Sequence, residues 1–155
     1  MTESDAVKDR GTAWADRPPR TASALRGDGD DIARARRLSA DFLARVRTEH
    51  GLDVSHRAVD LTRLVVGELV TNVRKYAPGP ASLDLRIVGD AVVITVRDRD
   101  PVLPVARAAD AGRVGQHGLE IVMAVARSFE ARREPVGKRI TVTLALTDDP
   151  GDAPT

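Results

Sequence analysis

The chain has 155 residues, enough for one domain with its own hydrophobic core. Its charges nearly balance, with 24 Lys and Arg against 23 Asp and Glu, which excludes a general electrostatic attraction to nucleic acid or to an anionic membrane. Aromatic residues are only 3% of the chain and cysteine is absent, which argues against a base-stacking surface and excludes disulfides, thiolate metal sites and a cysteine nucleophile.

The first 20 residues mix charged side chains with Gly11, Pro18 and Pro19 and show no hydrophobic period, which predicts a disordered arm. They contain no apolar segment typical of a signal peptide. No stretch of the chain approaches the roughly 20 apolar residues that span a bilayer. We therefore expect a cytoplasmic protein in which residues 21–147 form one domain and residues 148–155 a polar tail.

A short edge strand is predicted over Thr21–Leu25, followed by a helix. This helix starts at Asp30 or Asp31, runs to about Glu49 and ends at Gly51, because acidic residues cap helix N-termini and glycine ends helices. Its apolar residues recur at the three- and four-residue steps of a helix face: Ile32, Ala35, Leu38, Phe42, Leu43 and Val46.

A second helix is predicted from Asp53 or Ser55 to the residue before Pro78-Gly79-Pro80. Glu68 and Asn72 lie within it, one turn apart and beside the apolar stripe. That stripe consists of Leu61, Leu64, Val65, Leu69 and Val73.

After the second helix the hydrophobic pattern changes to the alternation typical of strands. Strands are predicted over residues 83–88 and 92–96, joined by a tight turn at Gly89-Asp90. The segment Asp98–Pro104 ends this hairpin, and a weakly patterned stretch continues to Val114.

A third helix is predicted over Leu119–Arg127, and a final hairpin over Phe129–Arg133 and Lys138–Leu146. The order helix, helix, strand, strand, loop, helix, strand, strand is typical of an α+β fold. We expect a two-layer α/β sandwich, with a mixed sheet of four to five strands and helices on one face.

Three separated segments carry polar or glycine residues that could form one site. Glu68 and Asn72 lie beside a buried stripe, where polar side chains cost free energy unless a partner pairs with them. A Mg²⁺ ion with phosphate oxygens would be such a partner. Asp98 ends a strand. Gly115-Gln116-His117-Gly118-Leu119 opens a helix, where glycine allows close approach and free N–H groups favour anions. Each feature alone also occurs without a ligand, as a polar helix edge, a strand end or a plain loop.

The histidines give no further signal. His50, His56 and His117 lack the spacing of zinc ligands. We interpret His117 as a loop residue that contacts phosphate or solvent rather than as a catalyst, because no partner carboxylate is evident for it.

Taken together and in this order, the three segments resemble the Bergerat-fold ATP-binding domains of the histidine kinase type. More narrowly, the chain resembles small actinobacterial ATP-binding proteins related to anti-sigma-factor serine kinases, over about residues 21–146. The run Glu68-Leu69-Val70-Thr71-Asn72 matches the first sequence box of that family. The resemblance implies that Asn72 holds Mg²⁺ through its side-chain oxygen and that Glu68 orients or deprotonates the attacking water or hydroxyl.

The resemblance also implies which residues contact ATP. Asp98 would accept a hydrogen bond from the adenine amino group, and residues 101–115 would form a lid over the nucleotide. The phosphates would lie near Arg74, Lys75, Tyr76, Gly115, His117, Gly118 and Leu119.

Two departures from the family pattern affect the adenine side. The family usually has glycines shortly after the aspartate, whereas this chain has Asp100-Pro101. Many relatives carry a threonine where Arg139 aligns, and that threonine helps to hold a water beside the adenine. Thr141, two residues further on the same strand face, is predicted to replace it.

Two functions follow from the resemblance. In the first, the protein uses ATP and Mg²⁺ to phosphorylate a small partner that resembles an anti-sigma-factor antagonist, and another face holds a sigma factor; the Glu68–Asn72 pair favours this. In the second, it binds nucleotide as a switch without phosphotransfer, which Asp100-Pro101 and Arg139 favour. A sensor histidine kinase fragment fits less well, because no phospho-acceptor histidine segment is evident before the domain. A homodimer is implied by resemblance only, and no nucleic acid or membrane partner is expected.

Overall fold

A computed structural model describes residues 18–77, 79–103 and 117–148. The predicted N-terminal arm up to residue 17, the lid from residue 104 to its predicted end at 115, and the tail from residue 149 lie outside the described residues. The described residues form these elements in chain order: β1 (Arg20–Leu25), α1 (Asp31–His50), α2 (His56–Tyr76), β2 (Ala81–Val88), β3 (Ala91–Asp98), α3 (His117–Val125), β4 (Ser128–Arg133) and β5 (Lys138–Ala145).

The strands form one five-stranded sheet in the order β1-β2-β3-β5-β4. The predicted α+β fold is confirmed, but the mixed sheet is wrong, because every pair of neighbouring strands is antiparallel. After β3 the chain passes through α3 and enters β4 at the sheet edge. It then turns back into β5, which lies between β3 and β4 and runs opposite to both.

The ends of the helices follow from local chemistry. Ser55 precedes α2, and its hydroxyl accepts a hydrogen bond of 2.9 Å from the backbone N–H of Ala58, as a capping residue should. Gly51 ends α1 in the left-handed conformation, with φ 65°. Asp31 does not act as the predicted N-terminal cap of α1. Its buried carboxylate accepts a 2.7 Å hydrogen bond from the N–H of Gly27 and so holds the loop between β1 and α1.

The hydrophobic core lies between the helices and one face of the sheet. The helix-facing residues of the three central strands are fully or almost fully buried: Leu83, Leu85, Ile87, Val92, Ile94, Val96, Ile140, Val142 and Leu144. Helix α2 packs on this face and on α1, through Val65, Val66, Leu69, Val70 and Val73. Since strand side chains alternate between faces, the even-numbered positions of β3 and β5 face the helices. The odd-numbered positions face the other way.

Candidate functional site

Asn72 lies on α2 with only 7% of its surface exposed. Within the described part of the chain, no hydrogen bond is made by its side-chain amide. Its side-chain N and O are not among the fully buried polar atoms that lack a partner, so the amide still reaches the surface. A ligand that supplies polar atoms could therefore contact Asn72 there.

Glu68 lies one turn before Asn72 and is half-buried. A Cβ atom added at Gly118 would overlap the Glu68 carboxylate, and it would lie 2.9 Å from Cδ of that side chain. The carboxylate is therefore packed against the first turn of α3. The N-terminus of a helix has unsatisfied N–H groups and the positive end of the helix dipole, so this place favours negative charge.

Other predicted phosphate-side residues lie on the same two helices. Lys75 is exposed and Tyr76 is half-buried, three and four residues after Asn72 on one helix face. His117 begins α3, and Gly115 lies outside the described residues. Leu119 is 6% exposed because its side chain packs in the core, so only its backbone can face a ligand.

Arg74 does not share this face of α2, contrary to our prediction. Two residues along a helix correspond to a rotation of about 200°, which places Arg74 on the side away from Asn72. There it lines a different cavity of about 170 Å³, together with Gly27, Asp31 and Val70.

At the end of β3, Asp98 is directly paired in register with Lys138, the first residue of β5. Both side chains are 1% exposed, and the Lys138 Nζ lies 3.0 Å from each carboxylate oxygen of Asp98. The ammonium also donates to the backbone carbonyl of Asp100 at 3.2 Å. Asp98 is therefore held in a buried ion pair on the face that the helices cover.

Gly137 makes this pairing possible. Its φ is +82°, and a Cβ at this position would overlap the carbonyl oxygen of Asp98 and lie 2.6 Å from the Cα of Arg99. Only glycine combines a left-handed backbone with so close an approach. The start of β5 is therefore pressed directly against the end of β3.

Thr141, the predicted partner of the adenine site, lies on the wrong face of the sheet. It pairs in register with Thr95, and both residues line a cavity of about 300 Å³ on the face without helices. Arg139 lies on the same outer face. Asp98 pairs in register with Lys138, and Arg139 and Thr141 lie one and three residues after Lys138 on β5. Residues an odd number of positions apart on a strand face opposite sides, so Arg139 and Thr141 face away from Asp98.

Lys138 is the residue that our sequence reasoning missed. The signal was present in the alternation of β5, where Ile140, Val142 and Leu144 form the buried series. If that series is extended backwards by two residues, Lys138 falls on the inner face, together with Asp98.

Within the described residues, no group of three or more His, Asp or Glu side chains could hold a metal ion. Mg²⁺ does not need such a group, because it is commonly held by one or two protein oxygens with phosphate oxygens and waters. The side-chain oxygen of Asn72 fits that demand.

None of the helices in the described ranges is long and apolar enough to cross a membrane.

Comparison with curated proteins gives no match. Among solved structures, the chain is similar to the histidine kinase domain of the blue-light activated histidine kinase from Erythrobacter litoralis EL346. The two are 16% identical, and the match covers 72% of this chain and 61% of that chain, with a TM-score of 0.44. The sequence pattern of the histidine kinase-like ATPase domain matches residues 19–144, and the chain therefore belongs to that family of ATP-binding domains.

Proposed function

We propose that the chain is a serine/threonine protein kinase of the anti-sigma-factor type. It would transfer the γ-phosphate of ATP to a hydroxyl of a small antagonist-like protein. Family membership supports the binding of ATP by a regulatory domain. The observation that carries the proposal of transfer is the position of Glu68, one turn from the unpaired amide of Asn72 and against the first turn of α3.

Each residue has a defined part in this reaction. Asn72 would hold Mg²⁺, which when bound neutralises charge on the phosphates. The first turn of α3 would face the phosphates with its N–H groups. Glu68 would accept the proton of the attacking hydroxyl as its oxygen bonds to the γ-phosphorus, while the bond to the bridging oxygen breaks and ADP leaves.

The Glu68 carboxylate occupies the helix end that a phosphate would also favour. Two negative groups at one helix terminus repel each other, so nucleotide should displace the carboxylate from α3. A displaced Glu68 remains on the face of α2 that carries Asn72. It would then be available to the acceptor hydroxyl.

The partners belong to the same proposal. The phosphate acceptor would be an antagonist-like protein, and a sigma factor would be held by a different face of a homodimer. The resemblance supports these partners, and no contact with nucleic acid or a membrane is included.

A second function, nucleotide-dependent binding without transfer, is favoured by the adenine side. There Lys138 already holds Asp98, and Asp100-Pro101 replaces the usual glycines. In this case ATP would change the shape of a binding surface, and Glu68 would have no chemical part.

Transfer of label from γ-labelled ATP to purified antagonist-like proteins separates the two functions. We expect the wild type to label a serine or threonine. Glu68→Gln should bind ATP normally but transfer about 10²- to 10⁴-fold more slowly, as expected for loss of a general base. Arg63→Ala, an exposed change on the same helix, is the control and should transfer at the wild-type rate.

If the wild type binds ATP but labels no acceptor, the switch function is correct. If Glu68→Gln transfers as fast as the wild type, Glu68 is not the base.

A further inference from the structure

The face of the sheet opposite the helices carries an open cavity of about 300 Å³ that is rich in positive charge. Two carboxylates and five arginines line it, and we call this surface the arginine face. Its arginines are Arg20, Arg86, Arg97, Arg132 and Arg139. The whole chain has a formal net charge of only +1, so the positive charge is a local property of this one face.

Three of these arginines lie side by side on neighbouring strands. Arg97 on β3 pairs in register with Arg139 on β5, which in turn pairs with Arg132 on β4. Strands in a sheet are about 4.8 Å apart, so the three Cα atoms fall within about 10 Å. Like charges directly opposite each other destabilise a sheet. The row therefore costs stability unless negative charge lies against it.

Carboxylates of the chain itself neutralise only the two ends of this row. Arg97 lies 3.4 Å from the carboxylate of Glu134, and Arg132 pairs with Glu130. Arg139, in the middle, is half-buried. Among the described residues, neither an ion pair nor a hydrogen bond is formed by its guanidinium group. The centre of the row is thus a cation that only a molecule outside the chain can neutralise.

The other end of the cavity repeats this arrangement. Arg20 pairs in register with Arg86 and donates a 2.6 Å hydrogen bond to Asp84, whereas exposed Arg86 forms no ion pair within the described ranges. Between the two groups of arginines, Thr95 and Thr141 pair in register and line the cavity. Thr95 is only 8% exposed, and the structure gives neither hydroxyl a hydrogen-bond partner in the described chain.

The spacing of the two groups indicates the size of a ligand. Arg86 pairs with Val93, which lies four residues before Arg97 on β3. Four residues of a strand span about 13 Å. One phosphate or a small dicarboxylate cannot reach both groups, but a polypeptide segment with several carboxylates can.

The acidic side chains of the cavity favour a polypeptide over nucleic acid. Asp84 and Glu130 lie among the arginines and would repel a continuous row of phosphates. A polypeptide can place hydroxyl or cationic side chains against them. A second copy of this chain is also disfavoured, because it would bring two positive faces together.

We propose that the arginine face binds an acidic segment of a protein partner. Carboxylates of that segment pair with Arg139 and Arg86, and the hydroxyls of Thr95 and Thr141 donate hydrogen bonds between them. A guanidinium group suits this part, because it binds a carboxylate through two parallel hydrogen bonds. The face lies across the sheet from α2, so the interaction does not depend on nucleotide.

The test uses a fluorescent peptide in which glutamate and serine alternate, with binding to the full chain followed by anisotropy in the absence of ATP. Two other probes are measured in parallel. One is the same peptide with glutamine in place of glutamate, and the other is a single-stranded oligonucleotide of equal charge. We expect saturable binding of the acidic peptide, no binding of the neutral peptide and weaker binding of the oligonucleotide.

Variants locate the binding on the arginine face. Arg139→Gln should weaken it about tenfold or more, the usual worth of a hydrogen bond to a charged group. Arg86→Gln, an exposed change that does not endanger folding, should weaken it about two- to fivefold. Arg37→Gln removes the same charge from an exposed position on α1 and should bind like the wild type.

Urea denaturation separates binding from a structural part for Arg139. Because Arg139→Gln removes the centre of a repulsive row, this variant should be at least as stable as the wild type. A clearly less stable variant would contradict the row as described. The proposal also fails if the wild type does not bind the acidic peptide, if Arg139→Gln and Arg37→Gln bind it equally, or if the oligonucleotide binds more tightly.

Discussion

Gly137→Ala is the sharpest test of how the base side of the site is built. Gly89→Ala is its matched control, since both glycines lie in hairpin turns with a left-handed backbone, at φ +82° and +59°. A Cβ at Gly89 meets no atom within 4 Å. At Gly137 it would overlap the carbonyl oxygen of Asp98 and lie 2.6 Å from the Cα of Arg99.

The difference between the two environments sets the expected magnitudes. Gly89→Ala should cost about 1–2 kcal/mol of unfolding free energy, for the left-handed conformation alone. Gly137→Ala should cost that amount plus a further 1–3 kcal/mol or more, which is typical of overpacking. The overlap is with backbone, which cannot rotate away as a side chain can, so β5 must move away from β3.

Urea denaturation followed by far-UV circular dichroism measures both variants, and equal m-values would show that the unfolding reaction is the same. Gly137→Ala should also bind ATP more weakly than Gly89→Ala, because the shift displaces Lys138 from Asp98. If the two variants are equally stable, the close approach of β5 to β3 is wrong, and the Asp98–Lys138 pair cannot be held as described.

Two further predictions concern other parts of the fold. Gly118→Ala should displace the Glu68 carboxylate, a flexible group, so unfolding free energy should change by less than about 1 kcal/mol. ATP should bind more tightly to this variant, because the nucleotide no longer has to displace the carboxylate from α3; an unchanged affinity would contradict the packing of Glu68 on α3. The pKa of Asp90 is lowered by a hydrogen bond from the Arg127 guanidinium and then by its charge. The resulting stabilisation is present above the ordinary carboxyl pKa and is lost as pH falls through the lowered value, so Asp90→Asn should slightly flatten the acid limb of a stability–pH curve. An identical acid limb would refute that ion pair.

Much of the fold was predictable because its signals are local. The cap at Ser55, the glycine stop at Gly51 and the change from helical to alternating periods at β2 each depend on residues close together in sequence. The same is true of the Glu68–Asn72 pair, whose relation is fixed by the turn of one helix.

The antiparallel sheet and the partner of Asp98 were not predicted, because they depend on pairing between distant strands. Lys138 stands 40 residues after Asp98 in the chain, and local alternation does not set the register between them. Thr141 was predicted because it shares a strand face with Arg139, which aligns with a threonine of the family, and both residues lie on the outer face of the sheet. Arg74 is a different case, since the rotation of α2 alone should have placed it away from Asn72.

The proximity of Glu68 to Gly118 could not be read from the sequence either. It requires α3 to pack on α2, and the two residues are separated by both strands of the β2–β3 hairpin. Glycine at the start of a helix indicated an anion site but not which side chain would lie against it.

Calorimetric titration of the full chain with ATP, with Mg²⁺ and with a chelator, tests the central claim most directly. We predict saturable binding that is tighter with Mg²⁺, and loss of the Mg²⁺-dependent part in Asn72→Ala. A folded protein that binds neither ATP nor ADP, or an Asn72→Ala variant with the full Mg²⁺ effect, would contradict the site described above.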